Sequence, residues 1–461
     1  MKSIYHNYKG YLIILVFLLL QISCDKRLDI LPYQSISSDK ALLTENDVLG
    51  TLIGCYDGIQ QTQLYGGDIM VFNDLTGNSD NILFTGTFAE LTDAYNASMT
   101  AGNIMTTGIW VAGYNTINRC NTVLSALDKV TSSPDTKNRV EGEALFLRAS
   151  IYFELVRLFA KFYGDGDYAI NPGVPLILTP TTEISDQNYV SRKTVKEVYD
   201  QVLADLEKAE TLLPDFNQKY ANKWVAAAQL SRVNLMLERY DDAASAADRV
   251  IAGSGKELSP QFKDLWYTYI NFGGVTPEEY IFYIKMTNQD GINDLNTFFG
   301  TTIESIQGTG GRSDCKVIES HIDRYEDGDA RKAFFMESGG NQYTQKHLDT
   351  YGDVPIIRLA EMYLTRAEAN FRQGTIVGAS PLDDINTIRD RVDLAPLSTV
   401  TLDDILKERS HELAFEGHYL IEAKRLKLAV GTLPWNSSKL ILPIPQREMD
   451  VNKNLEQNEG Y

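Results

Sequence analysis

Val195, Val198, Val202, Leu206, Ala209 and Leu213 recur every three or four residues, and the run stops at Pro214. That spacing lays the apolar side chains along one face of a helix. Thr194 and Glu197 stand at a capping-box spacing, where hydroxyl and carboxylate satisfy the first free backbone N–H groups, and proline ends the run for want of an N–H. The same periodicity predicts helices over 107–129, 139–162, 222–238, 241–251, 357–373, 382–391 and 402–429. The chain therefore reads as mainly α. Three of these helices carry a small residue followed three positions later by a larger one: Ala149 and Tyr152, Ser231 and Asn234, Ala367 and Asn370. In two of them a second helix follows a short turn, which is how tetratricopeptide-like helix pairs pack. Segments 63–102, 164–191 and 253–311 are rich in Gly, Asn, Thr and aromatics. Loops of that length inside a compact chain are commonly functional, so binding chemistry is expected there.

The amino terminus follows a different pattern. Lys2 and Lys9 precede an apolar run from Tyr11 to Leu20, then come Gln21, Ile22, Ser23 and Cys24. A basic start, a short apolar stretch and a small residue before a break make a secretion signal, and such a run is too short to span about 30 Å of hydrocarbon. A small residue directly before a cysteine resembles the lipobox of bacterial lipoproteins, which makes Cys24 the expected lipidation site; Gln21 stands where Leu is usual, with Leu20 one place further back. The alternative is an ordinary signal that leaves Cys24 in the mature chain. With 43% apolar residues the chain can bury a large core. Its net charge of −19 argues against a nucleic-acid partner, because binding a phosphate backbone needs a basic footprint. Cys55, Cys120 and Cys315 have no short spacing, so they read as buried thiols rather than as a disulfide framework or a zinc set.

A set of ordered segments carries a family resemblance. The helix Val140 to Arg157 is similar to one that recurs in SusD/RagB nutrient-binding lipoproteins, and in the same order follow Ile356 to Ala369, Ile385 to Arg391, Glu408 to His418, Pro443-Ile-Pro445 and Gln457 to Tyr461. Cys24 to Asp29 resembles the family's start. After His418 the family usually continues with Arg-Trp and an Asp, whereas this chain has Tyr419, Leu420 and Glu422. The resemblance implies a signal peptide over 1–23 and one SusD-like domain over 24–461, its N-terminal part about 24–220 and its C-terminal part about 270–461. It implies a SusD-like fold of helix pairs with long loops and few short strands. It further implies a lipid-anchored protein of the outer membrane, facing the exterior, that binds an oligosaccharide and delivers it to a SusC-like TonB-dependent transporter. The alternatives are a peptide as cargo, as in the RagB branch, and more remotely a glycoside hydrolase.

A sugar-binding surface needs aromatic faces that stack on pyranose C–H groups and polar side chains that pair with hydroxyls. The first long loop supplies Tyr65, Asp74, Asn78, Asp80, Asn81, Phe84 and Tyr95; the third supplies Trp266, Tyr267 and Tyr269. Together they form the expected ligand-binding set, with packing under the loops as their competing role. Trp110, Tyr114, Ile117 and Asn121 have helical spacing and read as packing; Trp224 and Trp435 read as structural. Glu408, Glu412 and Glu416 share one helix face and are expected to pair with Arg409, Lys424 or Arg366. His411-Glu412 lacks the second histidine of a zinc protease, since position 415 is Phe415. The glycines at 308–311 lack the residues of a phosphate loop, and no Gly-x-Ser-x-Gly occurs. Asp323, Glu326, Asp327 and Asp329 read as a polar turn. No catalytic residue, metal or cofactor is expected.

Overall fold

The structure is a computed structural model that describes residues 42–461 except 184, 269–272 and 302–310. Cys24, Tyr269 and the leader segment lie outside the described residues. The first half runs α1 (Glu45–Gln60), α2 (Asp68–Thr76), β1 (Ile82–Phe84), α3 (Ala89–Tyr95), α4 (Ile104–Ser125), α5 (Pro134–Phe159), α6 (Val195–Leu212), α7 (Lys223–Met236) and α8 (Tyr240–Gly253). Then come β2 (Tyr280–Ile284), α9 (Asp294–Phe299), β3 (Cys315–Val317), α10 (Glu319–Ile322), β4 (Phe335–Ser338), β5 (Asn341–Thr344) and β6 (Val354–Arg358). The chain ends with α11 (Leu359–Gln373), α12 (Pro381–Arg391), α13 (Leu402–Glu412), α14 (Tyr419–Arg425) and α15 (Gln446–Val451). The fold is mainly α, with few and short strands.

Local signals placed several helices closely. Thr194 and Glu197 close the expected capping box, with Glu197 N–H donating to the Thr194 hydroxyl at 3.1 Å and Thr194 N–H to the Glu197 carboxylate at 2.8 Å. α5 begins five residues before the periodicity does, because Ser133 caps it and Pro134 opens it, a position where no N–H is needed. The small residues act as read: the Ser231 hydroxyl donates to Ala243 O at 3.1 Å, so α8 lies close on α7. Asn370 fastens the turn after α11 through both its amide groups, donating to Val377 O and accepting from Val377 N–H. α4, α5, α6, α7, α8 and α11 pack in succession, and most of the buried apolar residues of the chain form one continuous core around α5.

Two expectations change. Segment 63–102 holds α2, β1 and α3, and segment 253–311 holds β2 and α9, so neither is structureless. β1 and β3–β5 build a four-stranded antiparallel sheet in the order β1-β3-β5-β4, and β2 pairs with β6. The helix expected over 402–429 breaks into α13 and α14, with Phe415 at φ 62° and Gly417 at φ 77° between them. The cause is tertiary. The buried Asp74 carboxylate on α2 accepts Gly417 N–H at 3.0 Å and Tyr419 N–H at 3.4 Å, and a Cβ at Gly417 would lie 2.8 Å from Met70 Cα. Gly417→Ala is expected to lower stability by about 2 kcal/mol or more, read as the urea midpoint, because it combines a left-handed backbone with a backbone clash.

The glutamate row is paired, as expected, but with other partners. Glu408 meets Arg331 and Arg389, both at 2.8 Å; Glu412 meets Arg358 at 3.0 Å and also Arg391; Glu416 meets Arg358 at 2.9 Å and Lys346 at 2.6 Å. Glu279 and Asp329 complete a network of five cations and five carboxylates, all with buried residues. Arg409 instead pairs with Glu422, and Arg366 with Asp384 and Asp248. Lys424 is buried, and its Nζ has no hydrogen-bond partner. These partners come from β6, α12 and the 329–346 segment, which helix periodicity does not bring together. Cys55, Cys120 and Cys315 are free and buried. No described helix is long and apolar enough to cross a membrane.

Candidate glycan-binding site

Burial sorts the expected ligand-binding residues. Tyr65 is 2% exposed and its hydroxyl donates to Glu154 at 3.0 Å, so it belongs to the core under α5. Asp74 holds the α13–α14 corner and presents no surface. Asn78 makes a local turn, its Oδ1 accepting Asn81 N–H and Ile82 N–H. Asn81 is buried; its Oδ1 accepts Arg324 Nη1–H at 2.8 Å and lies 3.0 Å from His321 Nδ1. Phe84 is buried with its ring 6.0 Å from that of the half-buried Tyr95. Trp266 is 3% exposed among Phe262, Phe334 and His347, with Lys346 4.8 Å above its ring. Tyr65, Asp74, Phe84 and Trp266 thus stand as packing residues: aromatic and small polar side chains in a long segment look exposed in sequence, but the helices and strands inside those segments turn them inward. Asp80 stays exposed, with φ 59°. Tyr267 is half-buried, its hydroxyl donating to Gln345 at 3.1 Å, and it lines an open cleft of about 920 Å³ beside Phe262, Phe334, Lys263 and Asp393. The loop set does not converge on one point.

A second cleft of about 710 Å³ gathers His321, His411 and His418 with Arg324 and Tyr419. Burial lowers the first two imidazoles to about 3 and His418 to about 4, so all three are neutral at physiological pH. They are separated by up to 97 positions in the chain, so no ligand spacing announced the grouping. Among the described residues no group of three His, Cys, Asp or Glu is arranged to hold a metal ion.

Phe216, Phe371, Tyr461 and Phe88 are exposed aromatics among the described residues, and of these Phe88 is the one with a guanidinium against its ring. Its ring is 45% exposed, and the Arg312 guanidinium lies 4.2 Å from the ring centroid and 5.1 Å from that of Phe298. Arg312 is held by Asp314 at 3.0 Å, whose backbone carbonyl accepts Thr85 N–H at 2.8 Å. Next to Phe298 the backbone passes through Gly67, where a Cβ would lie 3.1 Å from Asp294 Cβ and 3.2 Å from the Phe298 ring. Asp68 follows, 9% exposed, and neither an ion pair nor a side-chain hydrogen bond reaches its carboxylate from the described residues. Burial, then the charges of Asp294 and Glu90, push its carboxyl up to about 7. The Thr62 hydroxyl donates to Asp294, and the Thr62 carbonyl accepts Asp68 N–H at 2.6 Å. A half-open aromatic ring with a guanidinium 4.2 Å from its centroid, two of whose N–H groups have no hydrogen-bond acceptor among the described residues, can stack a sugar ring and donate to its hydroxyls. Sequence reasoning missed Phe88, Arg312, Asp68 and Asp294. Phe88 sits inside the first long loop and was within reach of the aromatic-in-loop criterion; the others meet only through the fold.

Comparison with known proteins places the chain. Residues 28–235 match the family described as "Starch-binding associating with outer membrane", and residues 332–439 match the SusD family. The chain belongs to the SusD/RagB family. SusD-like protein P2 of Formosa agariphila is 25% identical over 520 residues, covering 98% of this chain and all of that one. A putative sugar binding protein of Bacteroides vulgatus superposes with a TM-score of 0.79 at 26% identity, over 91% of this chain and 99% of its own. A laminarin-binding SusD-like protein superposes with a TM-score of 0.75 at 24% identity, over 91% and 100%. After His418, where the family usually has Arg-Trp and an Asp, Glu422 pairs with Arg409 at 3.1 Å and with Arg425. Leu420 is fully buried against Gly77, where a Cβ would fall 2.0 Å from its amide nitrogen.

Proposed function

We propose that this SusD-family protein captures an oligosaccharide at the cell surface and passes it, uncleaved, to a SusC-like TonB-dependent transporter, held to the outer membrane by acylation of Cys24. The observation that carries the glycan reading is Phe88, an aromatic face left 45% exposed with the Arg312 guanidinium 4.2 Å from its ring centroid. An exposed aromatic ring with hydrogen-bonding groups at its edge suits a pyranose, whose axial C–H groups stack on the ring while its hydroxyls reach the polar rim. The laminarin-binding neighbour and the starch-binding description of the matched family support the same class of cargo.

The test is calorimetric titration of the purified protein against a panel of oligosaccharides and peptides, with the recovered ligands checked for cleavage. An oligosaccharide is expected to bind and to be recovered intact, and Phe88→Ala is expected to weaken it at least tenfold, by the loss of about 1–3 kcal/mol of stacking and burial, with the melting temperature little changed. Binding confined to peptides would move the cargo to the other branch of the family. A carboxyl whose pKa burial raises, as at Asp68, is of the kind that serves as a general acid in glycoside hydrolysis. Cleavage of the recovered ligand would therefore replace the binding reading with a hydrolytic one.

A further inference from the structure

The cleft of about 710 Å³ lies where α13 and α14 meet α10 and the turn before β1, and the function proposed above makes no use of it. Leu406, Leu413, Leu426 and Leu428 give it apolar walls, and Leu428 at its mouth is 55% exposed. Two imidazoles interrupt those walls. His411 is 4% exposed, yet its ring nitrogens have no hydrogen-bond partner among the described residues. Tyr325 stacks on one face of that ring, with centroids 4.2 Å apart and planes 22° apart, which leaves the polar edge and the other face for the cleft. His418, half-buried on the same cleft, has no hydrogen-bond partner either. The third histidine is already engaged: His321 Nδ1 lies 3.0 Å from Asn81 Oδ1, and its Nε2 lies 3.4 Å from the Tyr325 hydroxyl.

A polar group buried without a partner loses its water and gains nothing in return, so two on one cavity call for a partner from outside. The chemistry of the wall narrows what that partner is. Burial lowers the imidazoles of His411 and His418 to about 3 and about 4, so each is neutral and offers one N–H donor and one acceptor nitrogen. Arg409 is taken up by Glu422 at 3.1 Å, and Lys407 by Glu326 at 3.0 Å. A charged ligand therefore meets no unpaired buried counter-ion in the described lining, whereas a hydroxyl can donate to one imidazole and accept from the other. A sugar carries a hydroxyl on nearly every ring carbon and would leave several of them against leucine. An aromatic ring suits the leucines and stacks on the imidazoles and on Tyr419.

We propose that this cleft is a second binding site, sharing no lining residue with the Phe88 surface, and that its ligand is an uncharged aromatic alcohol of one or two rings, the rings between the leucines and the hydroxyls on His411 and His418. A cleft of this volume, largely apolar with a few converging polar groups, is of the size that takes such small molecules. Binding forms hydrogen bonds only, and no covalent bond changes. It needs no part of the glycan reading.

The experiment titrates a naphthalenediol, whose own fluorescence reports binding, into the purified protein near neutral pH, alongside its dimethyl ether and a hydroxynaphthoate. The diol is expected to bind, and the ether to bind about tenfold or more weakly, the scale of removing hydrogen bonds from groups that stay buried. His411→Phe keeps the ring that stacks on Tyr325 and removes both nitrogens; it is expected to weaken the diol about tenfold with the melting temperature unchanged or raised. Leu428→Glu, at an exposed position, is expected to weaken the diol several-fold by placing a charge at the mouth. Phe88→Ala is expected to leave diol binding in place, which separates this site from the glycan surface. No saturable binding of the diol, or diol binding that either His411→Phe or Leu428→Glu leaves intact, overturns the assignment. Equal binding of diol and ether overturns the role of the imidazoles, and a tighter grip on the hydroxynaphthoate than on the diol would give the cleft to an anion and overturn the uncharged ligand.

Discussion

Arg358→Met is expected to lower the unfolding free energy by about 3–5 kcal/mol, a large part of the roughly 5–15 kcal/mol that holds a folded domain. Arg358 is 1% exposed and its guanidinium contacts three carboxylates at once: Glu279 at 2.6 Å, Glu412 at 3.0 Å and Glu416 at 2.9 Å. Methionine fills the volume and removes the charge, so the carboxylates left behind stay buried with too few partners. The cost is that of uncompensated charge rather than of lost packing. Urea unfolding followed by circular dichroism reads it directly. Lys193→Met is the control, because its pair with Glu197 is half exposed on both sides, and such pairs contribute about 1 kcal/mol or less. Equal effects of the two substitutions would show that the network adds nothing beyond a surface pair.

The ionic core also sets an acid limit. For Glu361, burial pushes the carboxyl up, but the Arg232 guanidinium outweighs it and holds the pKa at about 2, below its ordinary 4.5. A carboxyl with a depressed folded pKa contributes its full stabilisation above about 4.5 and loses it as the pH falls towards about 2, since the folded state must then take up a proton the unfolded state already holds. Stability is therefore expected to fall across that window.

Lys424→Met is expected to have the opposite sign, raising stability by about 2 kcal/mol at neutral pH. The amine is fully buried in α14 without a hydrogen-bond partner, and burial lowers its pKa from 10.5 to about 7. Between about 7 and 10.5 the unfolded chain binds a proton that the folded one does not, so wild-type stability rises with pH across that range. Methionine removes both the cost and the slope. Urea midpoints at about pH 7 and about pH 10 are the measurement: the gain should be larger at the lower pH. A loss at both would mean that the amine holds a stabilising contact.

How far the chain could be read differs by element. Helix α6 was legible in full, cap to proline, because every signal that makes it is local: the 3–4 periodicity, Thr194 with Glu197, and Pro214. The pairing of α7 with α8 was legible from small residues such as Ser231, whose partner Ala243 lies just across one short turn. The α13–α14 break was not, because residues 402–429 carry an unbroken helical pattern and the corner is imposed by Asp74, more than 300 positions earlier. The glutamate row shows both sides of the limit. Its need for cations follows from charge and spacing alone, while Arg331, Arg358 and Arg391 could be named only after β6 and α12 were folded against α13.

The binding surface followed the same division. Composition and loop length pointed to the long segments that hold Phe88 and Tyr267, but chose Tyr65, Asp74, Phe84 and Trp266 within them, all of which pack inward. An aromatic or acidic residue in a loop has the same local signature whether it faces water or a helix. By itself the sequence determined the helical class, the family and the presence of a charged helix face that needs cations, since these rest on periodicity and ordered motifs within the chain. Only the tertiary structure decided which aromatic rings reach solvent and which cations the carboxylates meet. Exposure and charge compensation depend on contacts between distant segments, such as Phe88 with Arg312 and Glu412 with Arg358 and Arg391.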